Sequence, residues 1–251
     1  MTTIKDIIPA FGVAILLASG AAAQTTSRTF HLTTLTSPTA VRVREIGTIV
    51  RALAAKQTSV NEESQTISVS GSSSDLALAA WLVEQFDSTG AKSGMVQYTV
   101  QGSPQSAVRI FYLSNTPRQT GLNEFVSTLR TVGGIQNMFA TTPEHAIGIR
   151  TTEAQAQLAE WLVKQLDVAH ASAGVERYAS TGPGGPQEIV EVAFLARQGT
   201  ESDLNQAVTT LRNEAGIRDI FMHSSPQGMA FRGSAEQVQS AEHLLARINA
   251  Q

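Results

Sequence analysis

The sequence contains no cysteine, few charged residues and few aromatic residues. The absence of cysteine excludes disulfides, cysteine-ligated zinc, iron–sulfur clusters and thiol catalysis. Only 16% of the 251 residues are charged, and the net charge of −3 is slightly acidic, so we expect no nucleic-acid partner. The hydrophobic fraction of 42% is ordinary, so the chain has enough apolar residues to fold.

The sequence also lacks a hydrophobic run long enough to span a bilayer. The first apolar stretch, residues 7–18, contains Pro9 and is shorter than the roughly 20 residues that a membrane helix needs. Lys5 precedes this stretch and small residues follow it up to Ala23, which is the order of a secretory signal peptide. We therefore predict a signal peptide over 1–23 that is cut after Ala23. The mature protein is then periplasmic or secreted and has no membrane span.

Internal repetition dominates the rest of the sequence. The block AAWLVEQFD at 79–87 recurs as AEWLVKQLD at 159–167 and as AEHLLARIN at 241–249, with offsets of 80 and 82 residues. A second block keeps nearly the same phase, with Val50-Arg51, Leu129-Arg130 and Leu211-Arg212. The repetition predicts a domain organisation of three modules. We place module one at 24–87, module two at 94–167 and module three at 173–251.

Each module has the pattern of a strand, a helix, a hairpin and a second helix. In module two, Leu122, Phe125, Val126 and Leu129 lie at i, i+3, i+4 and i+7, which forms one face of a helix. The pattern predicts an α+β fold of three tandem β-α-β-β-α modules. Two helices would pack on one face of a small mixed sheet in each module. Alternating residues before modules two and three predict an extra linking strand there.

The second helix of modules one and two carries an apolar pair that module three lacks. The pairs are Leu78 with Trp81 and Leu158 with Trp161, and the matching positions in module three hold Ser240 and His243. We take the four apolar residues as candidate inter-module or partner contacts. In this interpretation module three is a polar terminal cap. The alternative is that both tryptophans fill the cores of their own modules.

Arginines also recur in phase, for example Arg150 and Arg232 at an offset of 82 residues. They could lie on a solvated strand edge, or they could form a repeated salt bridge or a ligand-facing row. We favour the solvated position, because the repeated arginines make no dense basic patch.

No motif indicates catalysis, a cofactor or a metal. None of the five histidines has a second histidine three or four residues away, and no H-E-x-x-H, P-loop or G-x-S-x-G motif occurs. We therefore predict no catalytic, cofactor-binding or metal-binding residues, no cofactor, and a protein that is not an enzyme.

One signature in module two points to a known family. A strand with a polar ending is followed by an amphipathic helix that ends in a Leu-Asp pair. These residues are Ile147-Gly148-Ile149-Arg150-Thr151-Thr152, Leu158-Ala159-Glu160-Trp161-Leu162-Val163 and Leu166-Asp167. Module one ends similarly in Phe86-Asp87, whereas module three ends in Ile248-Asn249. The pattern resembles the short N-terminal repeats of secretins, the ring-forming outer-membrane channels of secretion and pilus systems.

The resemblance implies non-catalytic periplasmic modules that build rings or bind partner proteins. Because the sequence ends at Gln251 without room for a channel domain, we expect a free-standing set of such modules. The expected partners are envelope or secretion-system proteins, with a homo-oligomer as a further possibility. One alternative is a module that binds peptidoglycan or another glycan through a groove lined by Tyr98, Tyr178 or tryptophan. Another is an enzyme whose site is a polar cleft between modules.

Overall fold

The chain is described by a computed structural model over residues 26–33, 39–88, 90, 92–180, 188–195 and 200–249. Within these residues it forms eleven strands and six helices. The predicted signal peptide and its cleavage point after Ala23 lie outside the described residues. No helix in the described ranges is both long and apolar enough to cross a membrane.

The elements follow the predicted order in each module. Module one consists of β1 (Thr26–His31), α1 (Thr39–Leu53), β2 (Gln57–Asn61), β3 (Thr66–Gly71) and α2 (Ser73–Phe86). Module two consists of β4 (Gly94–Thr99), β5 (Ala107–Tyr112), α3 (Arg118–Thr131), β6 (Met138–Thr141), β7 (Ala146–Thr151) and α4 (Glu153–Leu166). Module three consists of β8 (Gly174–Ser180), β9 (Glu188–Phe194), α5 (Glu201–Glu214), β10 (Asp219–Ser224), β11 (Gln227–Gly233) and α6 (Ala235–Asn249). The α+β class and the three tandem β-α-β-β-α modules are therefore confirmed, and β4 and β8 are the extra strands.

Each module contains one sheet, and the strand pairing differs from the prediction in one respect. The strand orders are β1-β3-β2, β4-β5-β7-β6 and β8-β9-β11-β10. Every pair of neighbouring strands is antiparallel, so the prediction of mixed sheets is wrong. The helix after β1 does make β1 and β2 run in the same direction. The hairpin return strand β3 then lies between them, so the two parallel strands never pair.

Polar side chains fix the starts of the second helices. The Ser72 hydroxyl accepts the Asp75 backbone N–H, and the Asp75 carboxylate accepts the Ser72 backbone N–H at 3.1 Å. Thr152 begins α4 in the same way, because its hydroxyl accepts the Gln155 N–H at 3.3 Å. These hydrogen bonds satisfy backbone donors that have no partner within the helix.

The sheets and helix pairs form alternating layers. In each module the two helices cover one face of their own sheet, and the helices of modules one and two also cover the back of the next sheet. All six residues of β5 are buried, because this strand lies between two helix layers. The first core joins module one to Val108 and Ile110, and the second joins module two to Val190 and Val192. Because adjacent modules share a core, the bounds of the three modules as separate domains stay a prediction.

Candidate functional site: the module interfaces and the open ends

The two predicted tryptophans lie at matching places between modules. The indole of Trp81 on α2 lies against the ring of Tyr98 on β4, with centroids 5.3 Å apart. The indole of Trp161 on α4 lies against Tyr178 on β8 at 5.4 Å. Each tilted pair joins the second helix of one module to the extra strand of the next, which is a favourable aromatic arrangement. The linking strands β4 and β8 thus contribute directly to the contacts between modules.

The two predicted leucines are more deeply buried than the tryptophans. Leu78 is fully buried in the first core, and Leu158 is 5% exposed in the second. Both cores contain residues of two modules. In module three, Ser240 is half-buried and His243 is exposed on α6. The apolar pair therefore occurs on the two helix layers that a following sheet covers.

A glycine makes room for a further aromatic contact at the first interface. Phe86 on α2 meets the edge of Phe139 on β6, with centroids 5.5 Å apart. A Cβ atom at Gly148 on β7 would lie only 2.1 Å from the Phe139 ring. Glycine at this position therefore leaves room for the Phe139 ring.

Charged side chains also cross the first interface. Arg42 on α1 forms an ion pair with Glu144 in the turn after β6, and it bonds Glu45 at 2.6 Å. The Glu45 carboxylate in turn accepts the hydroxyl of Thr141 on β6. These side chains are largely shielded from solvent, and each charge has a partner, as burial of ionic groups requires.

The matching place at the second interface contains a buried histidine. His223 on β10 is 2% exposed, and its Nε2 lies 2.7 Å from the hydroxyl of Thr128 on α3. Glu124 on α3 accepts the Ser224 hydroxyl at 2.5 Å and lies 3.7 Å from His223 Nδ1. Burial lowers the pKa of His223 to about 3, so the imidazole is neutral in the folded protein at neutral pH.

Arg150 reaches across the first interface, so the solvated position favoured for it above is wrong. Its guanidinium donates to the Leu53 carbonyl at 2.8 Å and to the Ala54 carbonyl at 3.3 Å, at the end of α1. A cation there satisfies helix carbonyls that have no partner within the helix. Arg232, its counterpart in module three, instead bonds Asp219 at 2.5 Å within its own module. Local periodicity could place these arginines in phase but could not show which groups they meet.

The Asp that ends the second helix has a structural role that the sequence pattern did not reveal. The Asp167 carboxylate accepts backbone N–H groups from Ser114, Asn115 and Thr116 at 2.8–2.9 Å. These residues lie in the loop between β5 and α3. Asp87 accepts the Thr33 N–H at 2.9 Å in the corresponding loop of module one. The Leu-Asp signature therefore ties the second helix to the loop before the first helix.

Replacing Asp167 by Asn should lower the free energy of unfolding by about 2 kcal/mol. The amide presents one acceptor oxygen where the carboxylate presents two, and its NH2 group faces backbone donors. Urea unfolding followed by circular dichroism measures the loss. Asp219→Asn is the matched control, since Asp219 accepts from a side chain and not from a backbone loop. An equal loss in both variants would contradict the assigned role of Asp167.

The outer face of the first sheet is polar, a feature that the periodicity within each strand did not reveal. Strand alternation places Ser27, Thr29 and Ser68 on the face opposite the buried Phe30 and Ile67. The Thr29 and Ser68 hydroxyls are hydrogen-bonded at 2.8 Å. The helices of the preceding module cover this face in the second and third sheets. The matching positions there are apolar, namely Val108, Ile110, Val190 and Val192. Aligning the three strands by position would have revealed this pattern.

Two ion pairs involve matching positions of the strands β5 and β9. Arg109 on β5 is 5% exposed and bonds Glu153 on α4 at 2.7 Å. Glu191 occupies the matching position on β9 and accepts from Arg177 at 2.8 Å. Burial raises the pKa of Glu191 to about 7, although the Arg177 guanidinium opposes that shift.

The structure also bears on the residues of the alternative functions. Tyr98 and Tyr178 pack against tryptophans at two different interfaces. Across the residues that the structure describes, no group of three or more acidic or histidine side chains could hold a metal ion. A polar cavity does lie between modules one and two and includes Tyr112 and His145.

Comparison with known proteins gives structural matches only. No protein-family model matches the chain, and no curated protein is significantly similar to it. A structure of XcpQN012 is 14% identical, with 90% of this chain and 99% of that chain covered and a TM-score of 0.27. The N-terminal domain of the secretin XcpQ from Pseudomonas aeruginosa is 12% identical over 62% of this chain and 70% of that chain, with a TM-score of 0.23.

A full secretin shows the same level of similarity. The type II secretion system secretin GspD of E. coli K12 is 15% identical, and the match covers 90% of this chain at a TM-score of 0.21. The chain spans only 39% of the GspD chain.

Proposed function

We propose that the protein is an exported, non-enzymatic interaction protein of the cell envelope that binds an extended segment of a partner along β1. The observation that carries the proposal is a difference between the sheets. The second and third sheets have an extra edge strand, β4 or β8, beside β5 or β9. Among the described residues, no strand lies beside the outer edge of β1, the counterpart of β5 and β9.

The backbone of β1 is oriented to receive such a strand. The Leu32 N–H donates to the Gln65 carbonyl at 3.0 Å, so Leu32 faces β3. Backbone N–H and C=O groups alternate in direction along a strand. Those of Ser27, Thr29 and His31 therefore point away from β3, toward the edge of β1 that no described strand covers. These three residues are all exposed. Addition of a strand to an open sheet edge is a recurring mode of peptide recognition.

The polar ends of the stack favour binding at a sheet edge over stacking of further modules. The outer face of the first sheet carries hydroxyl groups, and α6 carries Ser240 and His243 where the covered helices have Leu and Trp. Such ends disfavour burial against an apolar sheet. The proposed export depends on the signal-peptide pattern over 1–23, and the envelope partner depends on the resemblance to secretin repeats. A homo-oligomer joined through sheet edges is the competing outcome.

Thr29→Pro should weaken partner binding about tenfold, because proline removes an edge-facing N–H and is tolerated on edge strands. The test is photo-crosslinking of the full chain in a Gram-negative envelope, with the reactive group at Ser27 or at the distant, exposed Glu236. We expect one discrete crosslinked envelope protein from position 27 and none from 236.

Thr29→Val is the matched control for this experiment. It keeps the backbone N–H and a β-branched side chain, so crosslinking should persist. Crosslinks that survive Thr29→Pro, or that form equally from position 236, would refute binding at β1. A crosslinked product with twice the mass of the chain would replace the envelope partner by a second copy.

A further inference from the structure

A polar cavity of about 440 Å³ lies at the corner between modules one and two. The end of α2, the residues before β4, the loop after β5 and the turn after β6 surround it. Its lining includes Phe86, Lys92, Tyr112, Ser114, Glu144 and His145. The cavity is large enough for a small ligand.

Two buried polar groups in this lining have no hydrogen-bond partner among the described residues. They are the Tyr112 hydroxyl and Nε2 of His145. Tyr112 is 4% exposed and His145 is 8% exposed. Buried side-chain polar atoms are usually hydrogen-bonded, and leaving one unpaired destabilises the folded protein. A ligand in the cavity would supply the missing partners.

The packing of one module on the next does not require the Tyr112 hydroxyl or the His145 imidazole. A cavity of about 200 Å³ lies at the corresponding corner between modules two and three. There Phe194 occupies the position of Tyr112, and Gln227 occupies that of His145. Phenylalanine fills the same space without a hydroxyl, so packing between modules does not account for Tyr112.

The charged groups around the cavity favour an anion. The Lys92 ammonium donates to the Gln85 carbonyl and lies 5.9 Å from the centre of the Tyr112 ring. The Glu144 carboxylate is paired with the Arg42 guanidinium. Burial and the nearby Glu144 raise the pKa of Tyr112 to about 12, so its hydroxyl remains a donor at neutral pH. The groups left to a ligand are thus an ammonium, a phenol O–H and an imidazole.

We propose that this cavity binds a carboxylate, held by the Tyr112 hydroxyl, His145 Nε2 and the Lys92 ammonium. Donors of this kind pair well with carboxylate oxygens. The Glu144 carboxylate on the cavity wall repels a doubly charged phosphate more strongly than a singly charged carboxylate. A carboxylate is therefore favoured over a phosphate. The carboxylate could belong to a small acid or to the free C-terminus of a peptide. This proposal does not depend on strand addition at β1.

The test is a titration of the full mature chain, monitored through the backbone amide NMR signals of Leu113 and Ser114. The probes are sodium acetate, the tripeptide Gly-Ala-Ala, the same tripeptide with a C-terminal amide, and inorganic phosphate. We expect saturable shifts with acetate and the free tripeptide and weaker binding of the amide and of phosphate. Tighter binding of the tripeptide than of acetate would identify a chain terminus as the source.

Tyr112→Phe, which introduces the residue of module three, should weaken carboxylate binding about tenfold through loss of one hydrogen bond to a charged group. His145→Gln is the second variant. Residue 145 has the left-handed φ of 52°, and Gln65, at the matching position of module one, has the same φ, so glutamine is compatible with this backbone. Tyr178→Phe at the other interface is the control and should bind as the wild type does. The proposal would be overturned if the carboxylates caused no shifts, or if phosphate bound more tightly than acetate. It would also be overturned if the tripeptide amide bound as well as the free tripeptide, or if Tyr112→Phe bound carboxylates as the wild type does.

Discussion

Exchanging Leu158 for Ser together with Trp161 for His should lower the free energy of unfolding by about 4 kcal/mol. These substitutions give α4, which the sheet of module three covers, the residues that α6 carries at the matching positions. Leu158 is 5% exposed in a core shared with module three, and Trp161 packs on Tyr178. The changes remove apolar contact area and put a serine hydroxyl into an apolar setting. The measurement is urea unfolding followed by circular dichroism, with hydrogen exchange to locate the loosened contacts.

The reverse exchange on α6 is the matched control. Ser240→Leu with His243→Trp adds the same side chains where no described sheet covers the helix. The free energy of unfolding should change by no more than about 0.5 kcal/mol, which is typical of surface substitutions. The new apolar patch should promote self-association, seen as a larger mass at high concentration by light scattering. Similar destabilisation by both double exchanges would contradict the assignment of α4 as covered and α6 as an open end.

The wild-type protein should lose about 3 kcal/mol of stability relative to His223→Asn between pH 6.5 and pH 4. The folded pKa of His223 is lowered to about 3, whereas an unfolded histidine titrates near 6.5. Between these values the unfolded state binds the proton and the folded state does not. Stability is therefore lost as the pH falls through this window. Asn removes the titration and can still bond Thr128, and Asn61 already occupies this position in module one.

The difference between the two proteins isolates His223 from the other titrating groups. The pKa of Glu191 is raised to about 7 by burial, so its folded form holds a proton that the unfolded form releases. Glu191 therefore gives a stability increment of the opposite sign as the pH falls from 7 to 4.5. This increment is common to the wild type and to His223→Asn, so it cancels. Urea unfolding at four pH values measures the difference, and parallel pH profiles would show that His223 is accessible to protons in the folded state.

Local patterns in the sequence predicted the elements well for a simple reason. The spacing of Leu122, Phe125 and Leu129 depends only on the period of a helix, and repetition across modules reinforced each assignment. The pairing of strands was less accessible. The sequence could not show that β3 lies between β1 and β2, since that order depends on which strand of the hairpin pairs with β1.

Candidate site residues divide in the same way. The tryptophan pairs could be singled out because Trp81 and Trp161 recur at one helix position and module three departs there. Arg150 could not be assigned, because its partners at Leu53 and Ala54 lie nearly a hundred residues away in the sequence. Tyr112 and His145 gave no signal either, since a cavity exists only after two modules meet.

The sequence by itself thus determined three α+β modules and the faces of their helices, because hydrophobic periodicity acts over a few turns of chain. It also indicated a polar end at module three. The tertiary structure decided which faces are shared between modules, since each core is completed by residues of the next sheet. It also decided that no described strand pairs with the outer edge of β1 and that Tyr112 and His145 line one cavity with Lys92. These features depend on contacts between distant parts of the chain, which local patterns do not encode.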